Sequence, residues 1–187
     1  MRVHILGASG SGTTTLGAAL AERIEVVHLD TDDYYWLPTD PPFEDARPMP
    51  ERLTRLQADL DDAQLRAGGW VLSGSLCGWG DPLIRRFELV VLLRADTRVR
   101  IARVTQRERE EFGEEAIAPG GRMHENFAAF VEWAAGYDDG ELDTRSLARH
   151  EAWLRELRCP ILRFDGETPV GEQVDGVCAA WKPASHA

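Results

Sequence analysis

The residues best suited to chemistry lie close to the N-terminus. Gly7-Ala8-Ser9-Gly10-Ser11-Gly12-Thr13-Thr14-Thr15 sets three glycines among hydroxyl side chains. It runs from the apolar segment Val3-His4-Ile5-Leu6 into a helix-forming segment beginning at Leu16. Glycines let the backbone wrap an anion closely with its amides turned inward. A helix start adds unpaired N–H donors and partial positive charge. From Gly7 to Thr14 the spacing fits G-x-x-x-x-G-K-[ST]; Thr13 occupies the slot of the lysine that reaches the β- and γ-phosphates, and Thr14 keeps the hydroxyl suited to Mg²⁺. A plain turn needs neither so many hydroxyls nor this flanking. The stretch therefore reads as a phosphate cradle built from Gly7, Ser9, Gly10, Ser11, Gly12, Thr13, Thr14 and Thr15. The dinucleotide spacing G-x-G-x-x-G is not met by Gly7, Gly10 and Gly12.

After the second apolar run comes Asp30-Thr31-Asp32-Asp33-Tyr34-Tyr35-Trp36. Three carboxylates this close repel one another unless a cation or a donor sits between them. Asp30 is expected to orient the hydration shell of Mg²⁺, and Asp32 to accept or steer the proton of an acceptor hydroxyl. A solvated acidic turn would also carry these aspartates, but a position beside the cradle favours chemistry. Tyr34, Tyr35 and Trp36 are either the wall of an acceptor pocket or ordinary packing. Without the loop lysine, a compensating cation is needed near the γ-phosphate. The arginine-rich segment from Arg98 to Arg109, which places Arg100, Arg103 and Arg107 on one helix face, and the later Arg122 supply candidates. Arg103 is assigned to the nucleotide; Arg107 and Arg109 are assigned to charge stabilisation during transfer. Arg52 and Arg55 read as a solvated face, and Ser73 or Ser75 as possible partners of a phosphate oxygen or a metal-bound water.

These residues need a scaffold that brings strand ends together. Short, nearly continuous apolar runs at 3–6, 25–29, 70–72, 89–93 and 161–164 read as strands covered on both faces. Helical patterns fill 13–23, 51–67, 97–112, 125–135, 144–157 and 170–181. Such alternation predicts a parallel α/β sheet with helices on both sides, with ligands outside the carboxyl ends of its strands. The 187 residues make one domain, with a proline-rich acceptor-binding excursion over about 33–67 and a charged, glycine-bearing lid over about 107–123.

Composition narrows the partners. A formal net charge of −11 without a basic stripe argues against nucleic acid and anionic membranes. Three cysteines without C-x-x-C suit reduced thiols in a cytoplasmic protein, and no segment has the pattern of a signal peptide or membrane span. Cys77 has no paired histidine in view, and His124 and His150 lack metal-ligand spacing.

Taken together, the chain resembles P-loop nucleotide kinases over nearly its whole length. The Gly7–Thr14 loop, the arginine helix before a glycine-bearing lid and the turn after the last strand resemble adenylate kinases. Asp30-Thr31-Asp32 resembles the D-x-D of shikimate kinases, where one Asp serves Mg²⁺ and the other the acceptor. The G-T-T in place of G-K-T is similar to archaeal-type cytidylate kinases, which implies that phosphoryl transfer survives loss of the lysine. G-S-G-T-T-T, D-T-D-D-Y-Y-W and S-G-S together resemble bacterial adenylate-kinase-like proteins. The resemblance implies a three-layer α/β/α P-loop NTPase fold with a five-stranded parallel sheet in the order 2-3-1-4-5. It also implies ATP and Mg²⁺, a nucleotide or other small-molecule acceptor, a cytoplasmic monomer or homodimer, and the 166–169 turn near the adenine. The expected activity is transfer of the γ-phosphoryl of Mg-ATP. The rivals are a slowly hydrolysing nucleotide switch and a degenerate relative that binds a partner through its aromatic surface.

Overall fold

The computed structural model describes residues 1–139 and 145–181. Five strands, β1 (Arg2–Gly7), β2 (Val27–Asp30), β3 (Trp70–Ser73), β4 (Leu89–Arg94) and β5 (Ile161–Asp165), form one sheet in the order β2-β3-β1-β4-β5. Every pairing is parallel. The order and the parallel pairing are those expected from the sequence. Eight helices accompany them among the described residues: α1 (Thr13–Arg23), α2 (Asp32–Tyr35), α3 (Met49–Ala67), α4 (Thr97–Phe112), α5 (Glu114–Ile117), α6 (His124–Ala135), α7 (Leu147–Leu154) and α8 (Val170–Ala180).

Alternation along the strands divides the core. Val3, Ile5, Val71, Val91 and Leu93 pack with Leu16, Leu20, Val174 and Val177 of α1 and α8. On the opposite face Leu6, Leu72, Val90 and Leu92 pack with Leu56 and Leu60 of α3 and with Trp153 and Leu154 of α7. Both faces of the central strands β1, β3 and β4 are buried, which is why these read as continuous rather than alternating apolar runs.

Boundaries depart from the sequence pattern where local geometry intervenes. The second apolar run begins at residue 25, but β2 starts at Val27. Glu25 takes a left-handed φ of 56°, and Val26 N–H donates to Ala21 O at 3.0 Å, so the chain is still wrapping the end of α1. The acidic segment after β2 winds into the single-turn α2. Asp81-Pro82 opens a short 3₁₀ turn over Asp81–Arg86. α7 is shorter than the 144–157 pattern because Ser146 caps it, accepting from Arg149 N–H at 3.3 Å; Thr144 lies outside the described residues. No helix among the described residues is long and apolar enough to cross a membrane.

Candidate active site at the carboxyl ends of the strands

Register brings the chemistry together. Asp30 at the end of β2 is paired with Ser73 of β3, and Ser73 in turn with Ile5 of β1, just before the glycine loop. Within that loop Gly10 has φ +79°, and a Cβ there would run into the Arg100 backbone carbonyl. Gly12, the residue before α1, has φ +99° and gives α1 no side-chain cap. By contrast, α4 is capped by Asp96, which accepts from Arg98 N–H at 2.8 Å. The first amides of α1 are thus left to the loop. Ser11 Oγ is buried there without a hydrogen-bond partner, and so is Thr31 Oγ1, which lies against Gly74 after β3. Orphaned buried hydroxyls are uncommon and mark a place where a polar group belongs.

Asp30 is the hub. Its Oδ2 accepts from Thr14 Oγ1 at 2.9 Å and from Ser73 Oγ at 2.7 Å, and its Oδ1 accepts from Asp32 N–H at 3.0 Å. Ser73 has one hydroxyl proton, committed to the carboxylate, so His28 Nε2, 2.9 Å from Ser73 Oγ, is the donor to that oxygen. Burial lowers the His28 pKa, against the pull of Asp30 and then Asp33. Thr14 and Asp30 offer hard oxygens side by side, the donor type Mg²⁺ takes alongside waters and phosphate oxygens. Among the described residues no group of three His, Cys, Asp or Glu side chains could hold a metal alone.

Asp32 is exposed at the start of α2, with enough of the chain around its carboxyl to desolvate it in part. Desolvation raises its pKa, Arg145 opposes that, Asp30 raises it further and Arg107 again opposes. Asp33 is also raised, by desolvation and then by Asp30.

The arginines separate into different jobs. Arg103 Nη1 donates to Gly10 O at 3.3 Å and Gly166 O at 3.0 Å, tying the loop to the turn after β5. Arg107 lies within electrostatic reach of Asp32, pairs with Glu108 at 2.8 Å and covers the Phe130 ring at 5.6 Å. Arg109 is turned to Glu114 and to Gln106, and nothing links it to the loop. Arg122 is placed against Met123 Sδ at 3.8 Å. Arg100, expected on one face with Arg103 and Arg107, is 1% exposed and structural; it donates to Ala134 O at 2.9 Å and to Asp138 at 2.7 Å. Arg55 does lie on the solvated face, paired with Glu51 at 3.0 Å. Arg52 departs from that expectation, stacking 3.7 Å above the Tyr35 ring and donating to Arg47 O.

One cation escaped sequence reasoning. Arg145 Nη1 donates to Ser9 Oγ at 3.4 Å, and its guanidinium lies 5.5 Å from the Trp133 ring centroid. Nothing in its own segment signals this role. It reaches the loop because the chain around it is pinned: Leu147 N–H donates to Tyr137 O at 2.9 Å, Tyr137 OH donates to His150 Nδ1 at 2.8 Å, and His150 Nε2 donates to Ser75 Oγ at 3.0 Å.

Comparison with known proteins agrees with this geometry. A family model described as an AAA domain matches residues 3–126. Over 175 residues, 94% of either chain, the sequence is 45% identical to a Bacillus subtilis (strain 168) protein described as "Uncharacterized protein YqaC". A gluconokinase from Sinorhizobium meliloti 1021 matches with a TM-score of 0.50 and 18% identity, over 95% of this chain and 89% of that one. A shikimate kinase from Acinetobacter baumannii, in complex with shikimate, matches with a TM-score of 0.51 and 15% identity, over 95% and 90%. At such identities the likeness to solved structures is one of fold.

Proposed function

The chain belongs to the AAA-domain family, in a P-loop kinase-like fold, and from that premise we propose that it is a small-molecule phosphotransferase using Mg-ATP. The observation that carries the reading is the meeting of Thr14 Oγ1 and the Asp30 carboxylate, 2.9 Å apart, at the foot of a loop with uncapped helix amides. Thr14 and Asp30 hold the magnesium, directly or through water, and the ion supplies charge neutralisation of the β- and γ-phosphates. Loop amides at Gly10 and from Gly12 to Thr14 hold the phosphate oxygens, the Ser11 N–H being engaged by Ala8 O at 3.1 Å, with Gly7, Ser9, Ser11 and Thr15 shaping and flanking the cradle. Arg103 fixes the loop against the turn after β5, beside which the base is placed.

Asp32, exposed two residues beyond Asp30 and bonded to it through its backbone N–H, accepts or steers the proton of the acceptor hydroxyl; for a phosphate acceptor it would hydrogen-bond instead. Its raised pKa brings it nearer to that of a general base. Arg107 is the lid cation that acts on Asp32, and Arg109, paired with Glu114 here, is the second, the lid being residues 107–123. Tyr35, Trp36 and the Arg52 guanidinium stacked on Tyr35 wall the acceptor side, within the excursion at 33–67. That wall suits a small molecule with an apolar or flat face and an anionic group. No arginine lies in residues 74–80, the segment that carries one in adenylate kinases, so a non-nucleotide acceptor is the more natural partner.

Thr13 in the lysine slot favours one rival, a slowly hydrolysing nucleotide switch. A screen of hydroxyl, carboxylate and phosphate acceptors with Mg-ATP separates the two. ADP formed only when an acceptor is present supports the kinase; slow ADP formation indifferent to every acceptor supports the switch.

A further inference from the structure

We propose that Arg145 takes over the task of the absent loop lysine, its guanidinium neutralising the terminal phosphate of the bound triphosphate from across the mouth of the loop. The inference rests on the nucleotide-binding reading above and adds a residue and a role to it.

The need is electrostatic. Asp30, Asp32 and Asp33 crowd one wall, and a triphosphate would bring further negative charge against them. In loops of this spacing a lysine answers that charge, and here Thr13 cannot. Three of the cations expected from sequence are engaged elsewhere, Arg103 on the carbonyls of Gly10 and Gly166, Arg107 on Glu108 and Arg109 on Glu114, while Arg122 rests against Met123 Sδ with no bond to the loop among the described residues.

Arg145 differs in three ways. It is bonded to a side chain of the loop itself, Ser9 Oγ, at 3.4 Å. Among the described residues no carboxylate lies within ion-pair distance of it. It also lies within electrostatic reach of Asp32, whose raised pKa it opposes, so the guanidinium bonded to Ser9 is felt on the acceptor side as well.

The position is rigid where it needs to be. The indole ring of Trp133 underlies the guanidinium, and the residues immediately following are fixed by Leu147 N–H to Tyr137 O and by the Tyr137–His150–Ser75 chain. A planar, always-charged guanidinium so braced can present its remaining donors to phosphate oxygens with little further loss of freedom.

The test compares ATP and ADP binding by calorimetry, with Mg²⁺, in the full chain and in Arg145→Ala, Arg145→Lys, Thr13→Lys and the Arg145→Ala/Thr13→Lys double variant. Thermal unfolding is followed in each. Arg145→Ala should weaken ATP roughly ten- to a hundredfold while leaving ADP nearly unchanged. Arg145→Lys should recover part of the loss. Thr13→Lys should gain little in the natural background but restore ATP affinity in the Arg145→Ala background, because the two cations do one job. The proposal is overturned if Arg145→Ala binds ATP as the natural chain does and only the acceptor KM rises. It is equally overturned if ATP and ADP weaken together with a fall in melting temperature, or if Thr13→Lys fails to rescue. If the natural chain binds neither nucleotide, the functional reading itself has failed, a result distinct from these.

Discussion

Acid should loosen the docking of α7 through a single histidine. His150 is fully buried and neutral, accepting from Tyr137 OH and donating to Ser75 Oγ. Burial lowers its pKa from 6.5 to about 3, with Arg145 and then His4 pushing the same way. The unfolded chain binds a proton there below about pH 6.5 and the folded chain does not until about pH 3. Stability from this group is therefore complete above pH 6.5 and lost as pH falls towards 3, at a limiting slope of about 1.4 kcal/mol per pH unit. Between pH 7 and pH 5 the loss comes to about 2 kcal/mol. Other groups titrate in the same range, so the informative quantity is a difference. His150→Gln keeps one donor and one acceptor but does not titrate. Urea unfolding of both proteins at half-unit steps from pH 5 to pH 7.5 should give curves that converge towards acid. The natural chain should lose about 2 kcal/mol of its advantage by pH 5. Parallel curves would refute the assignment of a buried neutral histidine at this joint, and with it the rigid placement of Arg145.

Three further changes have defined outcomes. Thr14→Val keeps the shape of the side chain and removes the hydroxyl bonded to Asp30, so kcat should fall about a hundredfold or more, with a melting temperature close to that of the natural chain; steady-state kinetics beside a melting curve checks both halves. Gly10→Ala forces a Cβ onto the Arg100 carbonyl at a left-handed φ, so nucleotide binding should be abolished and stability should drop by about 1–3 kcal/mol, read by calorimetry and urea unfolding. Arg103→Ala removes the tie between the loop and the turn after β5, and should weaken ATP and ADP alike by about tenfold, since the tie does not select the terminal phosphate.

The fold was legible because its signals are local. The 13–23 and 97–112 helical patterns match α1 and α4 residue for residue, and buried parallel strands announce themselves as short apolar runs. The phosphate loop and Asp30 were legible for a similar reason: each follows a strand, and parallel register then sets Gly7, Asp30 and Ser73 at one end of the sheet. The cations were not. Helical spacing groups Arg100 with Arg103 and Arg107, but it does not say which part of that face is buried, and Arg100 is consumed beneath α6. Arg52 looked like surface until the fold laid it on Tyr35. Arg145 reaches Ser9 across 136 residues through contacts made by Tyr137 and His150, a consequence of docking that leaves no periodicity or motif in its own segment.

The most direct test of the account is equilibrium titration of the natural chain with ATP, with and without Mg²⁺. The account predicts saturable binding at one site per chain, strengthened by magnesium and diminished by Asp30→Asn. Absence of heat and of saturation with ATP and the other common nucleoside triphosphates would contradict it.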